Sequence, residues 1–170
     1  MIVGTATDLA AALEVWRAAN TARGKAPDPP RVLRVRAKLA DPAATVLAAT
    51  EDGATTGMLL AEPGRDGDGT GPVLPALCHV SMVFVHPAYQ GRRIGLALLD
   101  ELATRAVHTG QTRLSLWTGQ GNERAQRLYR RAGFRPSGRI ERLGTGELVL
   151  NLVRDLGRFP ESADIDRHLL

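Results

Sequence analysis

Apolar positions along the chain switch between a period of two and a period near 3.6, and each switch marks an element. Ile2 to Ala6 predicts a short strand. Thr7 or Asp8 can cap the helix behind it, whose apolar positions are Leu9, Leu13, Val15 and Trp16. Pro27, Pro29 and Pro30 interrupt the chain, and a second, basic helix is expected from Arg31 to Leu39, stopped at Asp41-Pro42. Ala44 to Thr50 and Thr55 to Ala61 read as strands around an Asp52-Gly53 turn. Pro63 to Pro75 reads as a loop rich in Gly, Asp and Pro, and Leu77 to Val85 as a β-rich run that ends before Pro87.

From Arg92 the period is helical, with Ile94, Leu98, Leu99, Leu102 and Val107 in phase until Gly110. Leu114 and Leu116 alternate with polar neighbours from Arg113 to Thr118, which predicts a strand. Asn122 to Ala132 predicts a helix capped by Asn122 and closed by Gly133. Extended structure returns at Phe134, and Leu148 to Val153 is the last strand. The expected order is strand, two helices, three strands, helix, strand, helix and two strands. No repeat or linker divides it. The tail after Arg154 has weak pattern and is expected to wrap the surface or a partner, a second copy of the chain among them.

A chain of 170 residues suits one domain and is long enough to fold without a disulfide or metal staple. Aromatics are only 4%, so the core must be built from Leu, Val, Ala and Ile. No window approaches eighteen consecutive apolar residues, which argues against a spanning helix and a membrane role. The first residues lack a basic region followed by an apolar run, and Cys78 is the only cysteine. A cytoplasmic, reducing setting is expected from both. Lys plus Arg outnumber Asp plus Glu by 22 to 18, and Lys25 and Lys38 are the only lysines. Guanidinium forks suit phosphate oxygens. Charge alone leaves open a phosphate-bearing ligand, nucleic acid, or a GC-rich genome that writes Arg for Lys.

The segment Val83 to Gly95 narrows this. A strand ends, a short loop follows, and a helix begins at Gly91-Arg92-Arg93-Ile94-Gly95. A helix N-terminus offers unpaired N–H groups and partial positive charge, which together attract an anion. No Gly-Lys-Ser/Thr follows, so it is not a Walker loop, and G-x-G-x-x-G is absent. Alone, the turn also reads as an ordinary strand-to-helix connection with two solvated arginines. A second segment, Asn122 to Phe134, places Asn122 and Tyr129 seven residues apart on nearly one helix face. Ala125, Leu128 and Ala132 form its core stripe, and Glu123 and Arg127 an i,i+4 pair.

Together the two segments resemble the acyl-CoA-binding motifs of the GNAT superfamily of N-acetyltransferases. Val85 to Gly95 is similar to its V-x-P-x-x-Q/R-G-x-G-x-G pattern, and Asn122 to Phe134 to its N-x-x-A-x-x-L-Y-x-K/R-x-G-F pattern. The matching core runs from about Cys78 to Phe134. The resemblance implies a single α/β (α+β) domain over residues 1–154, followed by the tail 155–170. Its sheet would be mixed and mostly antiparallel, with six to seven strands, a splay between the fourth and fifth, and about four flanking helices.

The resemblance also implies roles. Val83, Phe84 and Val85 would bond the pantetheine arm through their backbone. The amides of Gly91, Arg92, Arg93, Ile94, Gly95 and Leu96 would seat the pyrophosphate beside Gln90. Arg124 and Arg127 would add charge for the CoA phosphates, and Asn122 would bond the pantetheine or place the thioester. Tyr129 would protonate the departing thiolate, a task that suits a phenol. Arg93 stands where the family often has Gly. Trp117 stands where relatives that acetylate protein N-termini carry Glu, and is expected to wall the acceptor pocket. His79 matches the position of a Glu in histone-type relatives. It is the candidate base, with Ser81 as relay, and strand alternation would put His79, Ser81 and Val83 on one face. The stretch Asp66 to Gly71 opens like a calcium loop but has Leu77 where Glu is required, so no metal is expected there.

The function so implied is transfer of an acyl group, most simply acetyl from acetyl-CoA, to a primary amine of a small molecule or peptide. The alternative is a non-catalytic CoA-binding module on the same fold. The arginines in the two motifs make nucleic acid unnecessary as a partner. The acceptor would be set by Ala19 to Leu39 and Ser137 to Gly146. Arg31, Arg34, Arg36 and Lys38 favour an anionic acceptor, and Glu51, Glu141 and Glu147 a cationic one.

Overall fold

A computed structural model describes residues 1–67 and 69–157. The tail beyond residue 157, with its expected surface or partner contact, and Asp68 of the calcium-like loop lie outside the described residues. The elements are β1 (Ile2–Thr5), α1 (Leu9–Ala22), α2 (Pro29–Leu39), β2 (Thr45–Glu51), β3 (Ala54–Arg65) and β4 (Val73–Val85). A 3-10 turn at Pro87–Tyr89 precedes α3 (Ile94–His108), β5 (Arg113–Gly119), α4 (Glu123–Arg131), β6 (Arg135–Arg142) and β7 (Leu148–Asp155). This is the order that the hydrophobic pattern predicts. The strands form one seven-stranded sheet in the order β1-β2-β3-β4-β5-β7-β6. All neighbours are antiparallel except β4 and β5, which run parallel.

Alternation within each strand divides the core between the two faces. Leu47, Leu59, Cys78, Val80, Leu114 and Leu116 pack under α3 with Leu98, Leu99 and Leu102. Val46, Met58 and Leu60 pack on the other face under α1 and α2, against Trp16, Val35 and Leu39. Gly57 on β3 permits α3 to sit close, because a Cβ there would lie 2.5 Å from Ile94 Cγ2. No described helix is long and apolar enough to cross a membrane.

Local chemistry sets the ends of the elements. Asp8 caps α1 by accepting from Ala11 N–H at 2.9 Å, and Asp28 caps α2 by accepting from Arg31 N–H at 2.7 Å. Pro29 and Pro30 therefore open the second helix rather than interrupt the chain before it. A first-turn residue needs no N–H, and its φ is already helical. Asp52 and Gly53 both have positive φ, +49° and +80°, as a type I′ hairpin requires. The expected loop from Pro63 to Pro75 is shorter, because Arg65 pairs with Val73. β2 reaches only to Ala61, so Pro63 lies on a stretch with a free edge, where proline is tolerated.

The sequence pattern also misses a bulge. Leu60 pairs with Met82 but Ala61 with Val80, which leaves Ser81 as an extra residue in β4. The two faces exchange there. Cys78 and Val80 face α3 before the bulge, and Val83 and Val85 after it, while Met82 and Phe84 turn toward α1. His79, Ser81 and Val83 therefore do not share a face as simple alternation implies.

Candidate functional site

β4 and β5 pair from Leu77 with Arg113 to Val80 with Leu116, and no further. Past the bulge, Val83, Phe84 and Val85 remain paired to Leu59, Met58 and Gly57 on β3, and their edge toward β5 has no strand partner. β5 stays paired to β7 through Gly119. The strands thus part at the end of their parallel ladder, where a bulge raises the local twist. A cleft of about 970 Å³ fills the gap, walled by both strands, the start of α3, the inner side of α4 and the end of α1.

One wall is a helix end prepared for an anion. α1, α2 and α4 are capped by the side chains of Asp8, Asp28 and Asn122, but α3 has no side-chain cap. Gly91 at φ +82° and Arg93 at φ +59° bend the chain into this helix. Ile94, Gly95 and Leu96, whose amides open α3, all line the cleft. Arg93 adopts the left-handed conformation that glycine takes without strain, at roughly 1–2 kcal/mol for a residue with a side chain. Gly95 brings α4 close, since a Cβ there would lie 2.9 Å from Leu128 Cδ2.

Most expected cofactor residues meet here. Gln90, Gly91 and Arg93 line the cleft from the turn, and Asn122, Arg124 and Arg127 from α4. Arg124 donates to Gln90 Oε1 at 2.7 Å, which ties the two motifs together. Arg127 pairs with Glu123 at 3.5 Å on the surface. Arg92 turns away: it pairs with Glu51 at 3.1 Å and stacks on Tyr89 at 5.1 Å. The Asn122 oxygen accepts from Ala125 N–H at 3.2 Å, so the amide nitrogen is the end left for a ligand.

Tyr129 projects from α4 into the same cleft, its ring edge-on to Phe134 at 5.9 Å. Burial pushes its hydroxyl up to about 12, against the opposing charge of Arg23. Trp117 lines the same cleft, with Arg139 stacked on it at 5.3 Å.

The residues expected on the base side belong to a polar row across the strands. Glu62, His79 and Ser115 are successive cross-strand partners on β3, β4 and β5. His79 Nδ1 and Ser115 Oγ are 3.0 Å apart, and Ser81 donates its hydroxyl to Glu62 Oε2. Lys38 of α2 donates to the same oxygen at 2.7 Å. His79 and Ser81 are thus not joined to each other. Ser81 reaches the cleft wall, and His79 lies behind it. Burial lowers the His79 pKa, against the pull of the Glu62 charge. Burial raises Glu62, but hydrogen bonds from Lys38 and Ser81 outweigh it and hold the carboxyl below its ordinary value. Strand pattern and motifs do not single out Glu62, and Lys38, expected among the acceptor-side cations, meets this carboxylate instead. The available signal was that Glu62 is the one charged residue between Gly57 and Gly64. Arg23 and Lys25, from the segment Ala19 to Leu39 expected on the acceptor side, line the cleft beyond α1. Cys78 is buried, with its thiol pushed up to about 11 by desolvation.

Known proteins resemble this chain in sequence and in fold. A protein of Mycobacterium tuberculosis named as an uncharacterized N-acetyltransferase is 33% identical over 107 residues, spanning 62% of this chain and 63% of its own length. The ribosomal-protein-S18-alanine N-acetyltransferase of Escherichia coli superposes with a TM-score of 0.74 at 19% identity, over 96% of this chain and 99% of that one. An aminoglycoside 6′-N-acetyltransferase solved with coenzyme A superposes with a TM-score of 0.73 at 11% identity, over 95% and 100%. At such identities the two structures speak for the fold. The model of the acetyltransferase (GNAT) family matches residues 10–134, well beyond the two motifs, and the chain belongs to that family.

Proposed function

We propose that the protein is an N-acetyltransferase that moves the acetyl group of acetyl-CoA to a primary amine of a small molecule or peptide, by direct attack in a ternary complex. One observation carries the reading. The uncapped start of α3, the unpaired edge of Val83 to Val85 and Tyr129 all face one cleft.

The thioester supplies an acyl carbon open to attack by nitrogen and a thiolate leaving group. The amides from Gly91 to Leu96 hold the pyrophosphate, with Arg93 and Arg124 beside it. The free edge of β4 receives the pantetheine arm as an added strand, and its N–H groups polarise the acyl oxygen. Asn122 offers its amide nitrogen to the same arm. Tyr129 keeps its proton at any working pH and gives it to the departing sulfur. Ser81 takes the proton shed by nitrogen while passing its own to Glu62, which is 25% exposed and can release it to water. His79, kept neutral by burial, supports this row from behind. Holding amine and thioester together supplies much of the rate.

Thiol release from acetyl-CoA with a panel of primary amines tests the proposal. Release that depends on amine and falls in Tyr129→Phe supports it. Binding of CoA without transfer to any amine, and with no effect of Tyr129→Phe, would leave a non-catalytic CoA module.

A further inference from the structure

We infer that the amine acceptor carries a carboxylate or similar anionic group close to its amine, and that Arg23 holds it. The inference rests on the acetyl-transfer reading of the same cleft and names the class of acceptor.

Arg23 follows the last turn of α1, which packs on the sheet face opposite α3, and lines the cleft from there. Its guanidinium is held in place by neutral groups. It lies over the Phe84 ring at 5.3 Å and donates to Asn20 Oδ1 at 2.9 Å. Asn20 is completely buried, at 0% exposure, and its side-chain nitrogen donates to Trp16 O at 2.8 Å. That bond fixes which end of the amide is oxygen. The same oxygen accepts from Arg31 at 3.3 Å, and Arg31 stacks on Trp16 at 5.3 Å. A buried amide in the last turns of α1 thus orients two guanidiniums.

Neither arginine has a carboxylate within ion-pair distance among the described residues, whereas Arg92, Arg105, Arg113 and Arg154 each face one. Lys25 adds a second positive group to this side, and Glu147 is the one acid among the cleft-lining residues. A planar fork with spare N–H groups and no acidic partner is matched by a carboxylate, which can accept two parallel hydrogen bonds. Fixing the fork in advance removes the ordering cost that a free arginine would meet on binding. Arg23 is also near enough for its charge to act on the Tyr129 hydroxyl. Arg23 and Tyr129 line the same cleft, so an acceptor that reaches both carries its amine and its anion on one compact molecule, as an amino acid does. Polycationic amines meet repulsion at the same place.

Matched acceptor pairs test this on the full chain with acetyl-CoA. L-alanine, L-methionine and L-phenylalanine are each compared with the corresponding amide at equal free-amine concentration, with spermidine as the polycation. The expected result is an acid preferred over its amide by at least about tenfold in kcat/KM, the scale of a charge-assisted hydrogen bond. Arg23→Gln should abolish the preference and Arg23→Lys restore part of it, both with unchanged KM for acetyl-CoA. The wild-type comparison decides even if a variant folds poorly. Amides equal to acids, or spermidine preferred, would overturn the inference while leaving acetyl transfer standing. A rise in the KM for acetyl-CoA rather than for the acceptor in Arg23→Gln would assign the guanidinium to the cofactor. An Arg23-dependent preference for succinyl-CoA with neutral amines would place the anion on the acyl group. Either result overturns the inference, and no transfer to any amine overturns both readings.

Discussion

Ser81 donates its hydroxyl to the carboxylate of Glu62 across the β3–β4 pair, from the extra residue of a bulge. The bulge turns this serine to the cleft wall where the parallel ladder of β4 and β5 ends. A polar path thus runs from the cleft through Ser81 to Glu62 and Lys38 at the surface.

If that path carries the proton from the amine, Ser81→Ala and Glu62→Gln should each lower kcat by about a hundredfold, the lower end of general acid–base effects. The KM for acetyl-CoA should stay unchanged. Steady-state kinetics check this, and a change confined to the KM for acetyl-CoA would contradict it.

Stability should fall as pH drops below 6.5. The folded His79 pKa lies below its ordinary 6.5, so beneath that value the unfolded chain binds a proton that the folded chain refuses. The His79 contribution is fully present above pH 6.5 and is lost on acidification. Glu62, also lowered, adds a second loss below pH 4.5. Thermal melts between pH 7.5 and 5 should be less pH-dependent in His79→Gln than in the wild type. Equal slopes would contradict the assignment.

Tyr129→Phe should lower kcat by about a hundredfold or more, with little change in the KM for acetyl-CoA. Because the wild-type hydroxyl is pushed up to about 12, this group produces no loss of activity near pH 10. A falling limb centred at pH 10 that disappears in Tyr129→Phe would count against a buried tyrosine acid.

Arg93→Gly separates charge from conformation. At φ +59° glycine relieves left-handed strain of roughly 1–2 kcal/mol but loses about 0.5–1 kcal/mol to chain entropy. Chemical denaturation should therefore show a protein at least as stable as the wild type. The KM for acetyl-CoA should rise severalfold, since the cleft loses a phosphate-side cation. A marked loss of stability would contradict the strain argument.

Much of the fold was legible because its signals are local. Caps at Asp8 and Asn122, the Asp52-Gly53 turn and the periodicity of Leu98, Leu99 and Leu102 each act within a few residues. The two motifs that line the cleft were legible for the same reason, each being a contiguous stretch of chain. On the base and acceptor sides the sequence pointed to Ser81 and to Ala19 to Leu39, but not to the side chains they meet. Glu62 meets Ser81 through strand pairing, and the bulge between them has no sequence mark that separates it from continuous alternation. Arg23 gains its meaning from Asn20, which reads as one more polar residue of a helix until its burial is known. Pro29 and Pro30 read as an interruption by composition alone, and only the Asp28 cap makes them a helix start.

A crystal structure of the protein with CoA tests the central claim most directly. The account predicts the pyrophosphate on the amides from Gly91 to Leu96, the pantetheine along the free edge of Val83 to Val85, and the Tyr129 hydroxyl within hydrogen-bonding reach of the sulfur. Phosphates seated elsewhere, or a sulfur remote from Tyr129, would contradict it.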